Sequence, residues 1–124
     1  MRITLPYPPS VNHYWRHIGT KVLVSREGRE FRETVGLACR VLRVQQATGD
    51  LSIEIEVYPP DRRRRDLDNI LKGLLDALQH GGAYEDDSQI VKLTVIKRAV
   101  TSGGRVVVLI EELLPHQRDE GGAS

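Results

Sequence analysis

Between Leu51 and Tyr58 apolar and polar residues alternate, with Leu51, Ile53, Ile55 and Val57 set against Ser52, Glu54 and Glu56. A period of two puts the two sets on opposite faces of an extended chain, so this segment is predicted to be a half-buried β-strand. Elsewhere the period is that of a helix. Phe31, Val35, Ala38 and Leu42 follow Ser25, whose hydroxyl can accept an unpaired N–H of a first turn; a helix is predicted from there through about Gln46, broken by Gly49-Asp50. Leu67, Ile70, Leu71, Leu74, Leu75 and Leu78 predict a second helix from near Asp66 to Gln79, with Gly81-Gly82 as its stop. Arg2 to Leu5 reads as a first strand, stopped by Pro6, Pro8 and Pro9. Ser10 to Thr20 reads as irregular, and Lys21 to Val24 as a second short strand. Gln89 to Lys97 and Arg105 to Glu112 read as the last strands, joined by a turn at Thr101-Ser102-Gly103-Gly104 into an antiparallel hairpin. The order β-(β)-α-β-α-β-β predicts an α+β domain, a mixed β-sheet covered by about two main helices, over residues 1–114, with a flexible tail at 115–124.

Charge narrows the class. The 124 residues carry a net charge of only +1, so attraction for nucleic acid has to come from local clusters and not from the whole molecule. A hydrophobic fraction of 40% with 28% charged residues is that of an ordinary globular protein. Cys39 stands alone, which excludes an internal disulfide and fits a reducing cytoplasm. No apolar run approaches the roughly 20 residues that span a bilayer, and Met1 to Pro9 is too short and proline-rich for a signal sequence. The expectation is a soluble cytoplasmic protein with no membrane partner.

The chemistry gathers at one point. Asp61 is followed by Arg62, Arg63, Arg64 and Arg65, then by Asp66 and Asp68, with Lys72 four residues on and a second acidic knot at Glu85-Asp86-Asp87. Arginines attract phosphate, whereas clustered carboxylates repel it unless a cation sits between them. On a regular helix Asp66 and Asp68 would point about 200° apart; they converge if Asp66 is extended and Asp68 opens the helix, which sets Lys72 on the same side one turn along. Asp86 and Asp87, just past the second helix, could be returned beside them. The other reading is structural: Asp66 is a good N-cap, and acids favour the positive end of a helix dipole. The residues alone leave both open, although four adjacent like charges are hard to explain as a solvated face.

A resemblance extends this. Leu5-Pro6-Tyr7-Pro8-Pro9-Ser10-Val11-Asn12-His13-Tyr14-Trp15-Arg16 resembles the amino-terminal signature of the RusA family of Holliday-junction resolvases. The run from Asp61 to Asn69 resembles that family's catalytic segment, Asp86-Asp87-Ser88-Gln89-Ile90-Val91 its second acidic motif, and Thr101 to Arg105 falls at its last hairpin. The likeness runs from about Ile3 to Glu112. It implies a homodimeric endonuclease that cuts four-way junction DNA by paired symmetric nicks in recombination and repair, often of prophage origin. It implies Mg²⁺ held by Asp66, Asp68 and Asp87, with Mn²⁺ as a substitute and Asp86 as a substitute or second ligand. Lys72 joins the three aspartates as a catalytic residue, and Arg62, Arg63, Arg64, Arg65 and Lys72 contact DNA. The competing expectation is a non-catalytic branched-DNA-binding module of prophage origin.

Weaker signals remain. His13 and His17 have the i, i+4 spacing of a zinc pair, but they follow a proline run and no Glu follows His13. Tyr14 and Trp15 read as buried anchors before they read as a platform for an unpaired base. Arg26, Arg29, Arg32, Arg40 and Arg43 share an arc of the first helix with Glu30 and Glu33, the default for a solvated face.

Overall fold

A computed structural model describes residues 1–114; the tail expected at 115–124 lies outside the described residues. The elements are β1 (Arg2–Pro6), α1 (Val11–Tyr14), β2 (Trp15–Ile18), β3 (Lys21–Val24), α2 (Arg26–Val41), β4 (Leu51–Tyr58), α3 (Leu71–His80), β5 (Ile90–Lys97) and β6 (Arg105–Glu112). One 3₁₀ turn, Leu67–Ile70, leads into α3, and another, Asp87–Gln89, leads into β5. The α+β class is as expected.

The main sheet has the strand order β1-β6-β4-β5. β4 and β5 run parallel, with α3 as the crossover between them, while β6 is antiparallel to both β1 and β4. The alternation of β4 is realised residue by residue, with Leu51, Ile53, Ile55 and Val57 buried. Ile3 and Leu5 of β1 and Val106, Val108 and Ile110 of β6 join them in one core with Phe31, Val35, Leu74 and Leu78 of the helices. The helices thus cover one face of the sheet; the polar positions of β4 take the other.

The expected hairpin of the last two strands does not form, because β4 lies between β5 and β6. The connection instead crosses the end of β4: Arg98 N–H donates to Val57 O (2.7 Å) and Thr101 N–H to Pro59 O (2.8 Å). The physical reason is burial. Val106, Val107 and Val108 are all buried, as suits an inner strand, whereas Leu93 of β5 remains 41% exposed, as suits an edge.

Three other expectations change. The second helix begins at Leu71 and not near Asp66, because Leu67–Ile70 winds as a tighter 3₁₀ turn, closed by Asn69 N–H to Asp66 O, before α3 runs on to His80. The segment Ser10 to Thr20 is not irregular: α1 leads into β2, which pairs with β3 as a separate ribbon across a Gly19-Thr20 turn. The first helix starts as expected, the Ser25 hydroxyl accepting Gly28 N–H at 3.0 Å, but it ends at Val41 rather than near Gln46. Arg43 turns the chain with φ of 54° and Val44 N–H donates back to Cys39 O, so the reversal toward β4 stops the helix early. The buried stripe is therefore Phe31, Val35 and Cys39, and Leu42 is exposed.

Candidate functional site

Pro59 and Pro60 end β4, and the next five residues form a loop shaped by one carboxylate. Asp61 accepts Arg63 N–H at 2.9 Å and takes the Arg65 guanidinium in a fork, Nη2 donating to Oδ2 at 3.1 Å and Nη1 to Oδ1. The hydrogen bond from Arg65, then the Arg63 N–H, holds the Asp61 carboxyl down at about 2. Arg65 also lies 5.9 Å over the Tyr7 ring, and its carbonyl accepts from Lys97 Nζ at 3.1 Å. Arg65 is thereby half-buried and engaged, while Arg62, Arg63 and Arg64 project into solvent. Arg63 keeps only a long contact to Asp61 at 3.9 Å, and Arg62 and Arg64 make no ion pair among the described residues.

Asp66 follows with φ −86° and ψ 136°, extended, and Asp68 sits in the first 3₁₀ turn, the arrangement that lets the two carboxylates approach one another. Asp66 occupies the N-cap position of that turn, yet its side chain makes no capping hydrogen bond. The turn is closed by backbone alone, Asn69 N–H to Asp66 O at 3.2 Å. Both carboxylates are exposed, and neither forms an ion pair among the described residues. Asp66 lines a cleft of about 300 Å³ together with Tyr7, Ser10, His13 and Asn69. Lys72, in the first turn of α3, holds its ammonium 5.2 Å from the centroid of the Trp15 ring.

The second acidic knot stands elsewhere. Asp86 and Asp87 open the turn into β5, beyond the C-terminal end of α3, whereas Asp66 and Asp68 precede its N-terminal end. Because Ile90 pairs with Leu51 at the start of β4, and Lys97 reaches Arg65, the two acidic groups belong to opposite ends of β5. Among the described residues no three His, Cys, Asp or Glu side chains gather to hold a metal ion. Asp86 is also committed locally. It accepts Ser88 N–H at 2.8 Å in a reciprocal cap with Gln89, whose Oε1 accepts Asp86 N–H at 2.8 Å, and the Ser88 bonds lower its pKa. Asp87, its neighbour, is not the cap.

Comparison with known proteins gives this arrangement a family. The family model described as Endodeoxyribonuclease RusA matches residues 6–111. The chain belongs to the RusA endodeoxyribonuclease family. It is 45% identical over 113 residues to the crossover junction endodeoxyribonuclease of Enterobacteria phage HK97, covering 90% of this chain and 94% of that protein. The RusA protein of Escherichia coli K12 is 44% identical over 113 residues, with 90% and 93% covered, and that of Enterobacteria phage 82 is 43% identical over 115 residues, with the same coverage.

The RusA match spans both acidic groups and the arginine loop. Hard divalent cations such as Mg²⁺ bind to one or two carboxylates, keep several waters and need room for a phosphate oxygen. Asp66 and Asp68 fit that demand: both are exposed and outside any ion pair among the described residues, and Asp66, bonded to no N–H of the turn it precedes, lines an open cleft. The histidine pair does not fit zinc. α1 ends at Tyr14, which leaves His17 on β2, and His13 Nδ1 lies 3.1 Å from Ser10 Oγ.

One cluster had no counterpart in the sequence reading. Asp76 of α3 accepts from Tyr14 OH at 2.5 Å and from Arg32 Nε at 2.9 Å, and His80 Nε2 stands 3.7 Å from its other oxygen. Arg32 therefore leaves the solvated arc to which its spacing assigned it. Burial, then the Asp76 hydrogen bond, pushes the Tyr14 hydroxyl well above its ordinary pKa. Tyr14 itself is fully buried between two glycines: a Cβ on Gly73 would lie 2.7 Å from its ring, and one on Gly28 2.5 Å from its carbonyl oxygen. The i, i+4 spacing of Asp76 and His80 was visible beforehand; the meeting of α1, α2 and α3 at Tyr14 was not.

Proposed function

We propose that this chain is a Mg²⁺-dependent crossover junction endodeoxyribonuclease that acts as a homodimer, nicking four-way junction DNA in a symmetric pair. The observation that carries the reading is the Asp66 carboxylate, placed at an N-cap position and left uncapped. An acid kept only to stabilise the turn would be expected to bond its N–H groups. With its cofactor bound, Mg²⁺ would supply positive charge at the scissile phosphate and make an attacking water more acidic.

The chain's own groups divide the remaining work. Asp66 and Asp68 hold the cation. Lys72 offsets negative charge as it grows on the phosphate oxygens. Arg62, Arg63 and Arg64 grip the backbone, and Arg65, tied to Asp61, keeps their loop in shape. Asp87 completes the acid set from a second copy of the chain. That assignment is supported by the separation of the two acidic groups along β5 and by the absence of a three-acid cluster among the described residues of one subunit. Among the described residues the outer edge of β5 is unpaired, and the exposed Leu93, in register with buried Ile53, faces the same way as the core, leaving apolar surface for a mate. A two-fold dimer presents equivalent sites to the two opposed strands of a junction. The buried, lone Cys39 suits the reducing cytoplasm in which such DNA is processed; no helix among the described residues is long and apolar enough to cross a membrane.

The test uses a labelled mobile four-way junction, a linear duplex and a flap, each with Mg²⁺ or a chelator. Paired nicks in the junction alone, and only with Mg²⁺, are expected. Tight junction binding without cleavage in Mg²⁺ or Mn²⁺ would establish the non-catalytic binding module instead.

A further inference from the structure

Trp15 is the one tryptophan among the 124 residues, and it lies where α1 passes into β2. Its ring meets Tyr14 edge-on, centroids 4.9 Å apart at 61°, and its face lies 5.2 Å from Lys72 Nζ. The indole Nε1 is shielded from solvent without a hydrogen-bond partner among the described residues. No hydrogen bond therefore orients this ring; packing does. That packing is firm, because Tyr14 is gripped by Asp76 and Arg32 and by the close approach of Gly73. Helices α2 and α3 fix Tyr14, Tyr14 fixes Trp15, and Trp15 turns a π face to Lys72.

A lysine on an exposed helix turn is a flexible four-carbon stem that ordinarily samples many rotamers. A carboxylate could restrain it, but would cancel the charge that a phosphate needs. The acids one turn away on either side are not so used: Asp68 makes no ion pair with Lys72, and Asp76 is taken by Arg32 and Tyr14. An aromatic face restrains an ammonium while leaving its charge in place. We infer that Trp15 is a positioning residue for Lys72, holding its ammonium at the N-terminal turn of α3 beside Asp68 and ready for the phosphate. The inference rests on the role given to Lys72 above, and it makes the Tyr14–Asp76–Arg32 cluster the foundation of that placement.

Two measurements decide it. Without DNA or metal, Lys72→Met is expected to shift the emission of Trp15, because the charge leaves its ring; unchanged emission overturns the stacking. This arm needs no cleavage, so it stands even if the wild-type chain proves not to cut junctions. In the second arm Trp15→Leu lowers the rate of junction cleavage roughly 3- to 30-fold, the span of a cation–π contact from exposed to desolvated. Junction affinity should stay near wild type, the variant should remain folded at the assay temperature although it loses the edge contact to Tyr14, and Trp15→Phe, which keeps a π face, should recover most of the rate. In a Lys72→Met background Trp15→Leu should add little further loss. Equal losses in both backgrounds would show that Trp15 acts independently of Lys72 and overturn the inference.

Discussion

Asp61 and Arg65 form a forked ion pair four residues apart in a loop that is not helical. The pair bends the arginine run so that its last member faces inward against Tyr7, its first three face out, and Asp66 leaves the loop extended. An anion at position 61 thus organises a loop whose outward face is cationic. Its folded-state pKa, about 2, lies below the ordinary 3.8. A depressed carboxyl contributes stability that is present above the unfolded value and lost as pH falls through the folded one. The clamp is therefore intact throughout pH 5–8 and opens only near pH 2. Carboxyl-carbon NMR should find Asp61 titrating near 2; a midpoint near 3.8 would show that the fork does not persist in solution.

The four acids are expected to separate by role. Asp66→Asn, Asp68→Asn and Asp87→Asn should each reduce Mg²⁺-dependent junction cleavage by at least about 100-fold, beyond the range typical for groups that merely support a metal ligand. Junction binding in chelator should survive all three. Asp86→Asn should stay within about threefold of wild type, since Asn caps a turn about as well as Asp. Gel-based cleavage and binding assays read both, and a dead Asp86→Asn beside an active Asp87→Asn would reverse the assignment.

If Asp87 serves the partner's site, complementation has a definite outcome. Subunits carrying Asp68→Asn and Asp87→Asn, inactive alone, form on mixing a heterodimer with one intact site. That site pairs Asp68 of the second subunit with Asp87 of the first. The mixture should introduce single nicks into a junction, detectable by labelling each strand in turn. Three acids from one chain would give two dead sites and no nicks.

The seat of Tyr14 is also open to test. Gly73→Ala would raise helix propensity by roughly 1 kcal/mol. Its Cβ, however, would enter the Tyr14 ring at 2.7 Å, inside a buried contact. Overpacking of that kind typically costs about 1–3 kcal/mol, so a net loss of stability is expected in urea unfolding. A gain would mean that Tyr14 is free to move aside.

DNA affinity should depend on salt through the exposed arginines. Each of Arg62→Gln, Arg63→Gln and Arg64→Gln should lower the slope of log K against log salt by about 1 when it removes a phosphate contact. Arg65→Gln should act instead through the loop, reducing cleavage and releasing Asp61 toward an ordinary pKa. A slope unchanged in all four variants would remove the arginine loop from the DNA interface.

Local chemistry was legible wherever a residue's role depends on its chain neighbours. The β4 alternation and the Ser25 cap appear as expected, and Leu74 and Leu78 of the expected apolar face are buried on α3, whereas Leu67 and Ile70 lie in the 3₁₀ turn before it. Thr101 to Gly104 carried a turn signal, and the expected hairpin failed because strand pairing is a contest among all strands. β4 offered both its edges, and β6, with Val106, Val107 and Val108 all buried, took one of them while β5 took the other. Leu42 met the helical spacing, but the helix had already turned away.

The same division applies to the site. The amino-acid sequence by itself determined which groups were present and in what order: four arginines, two aspartates, a lysine one turn on, and the RusA pattern that links them. Only the tertiary structure decided which groups are free to act. It committed Asp86 to a cap, left Asp66 uncapped, drew Arg65 and Arg32 into ion pairs, and set Asp87 at the far end of β5. The reason is that a carboxylate or guanidinium can spend its hydrogen bonds only once. Which partner takes them depends on distances between segments that lie far apart along the chain.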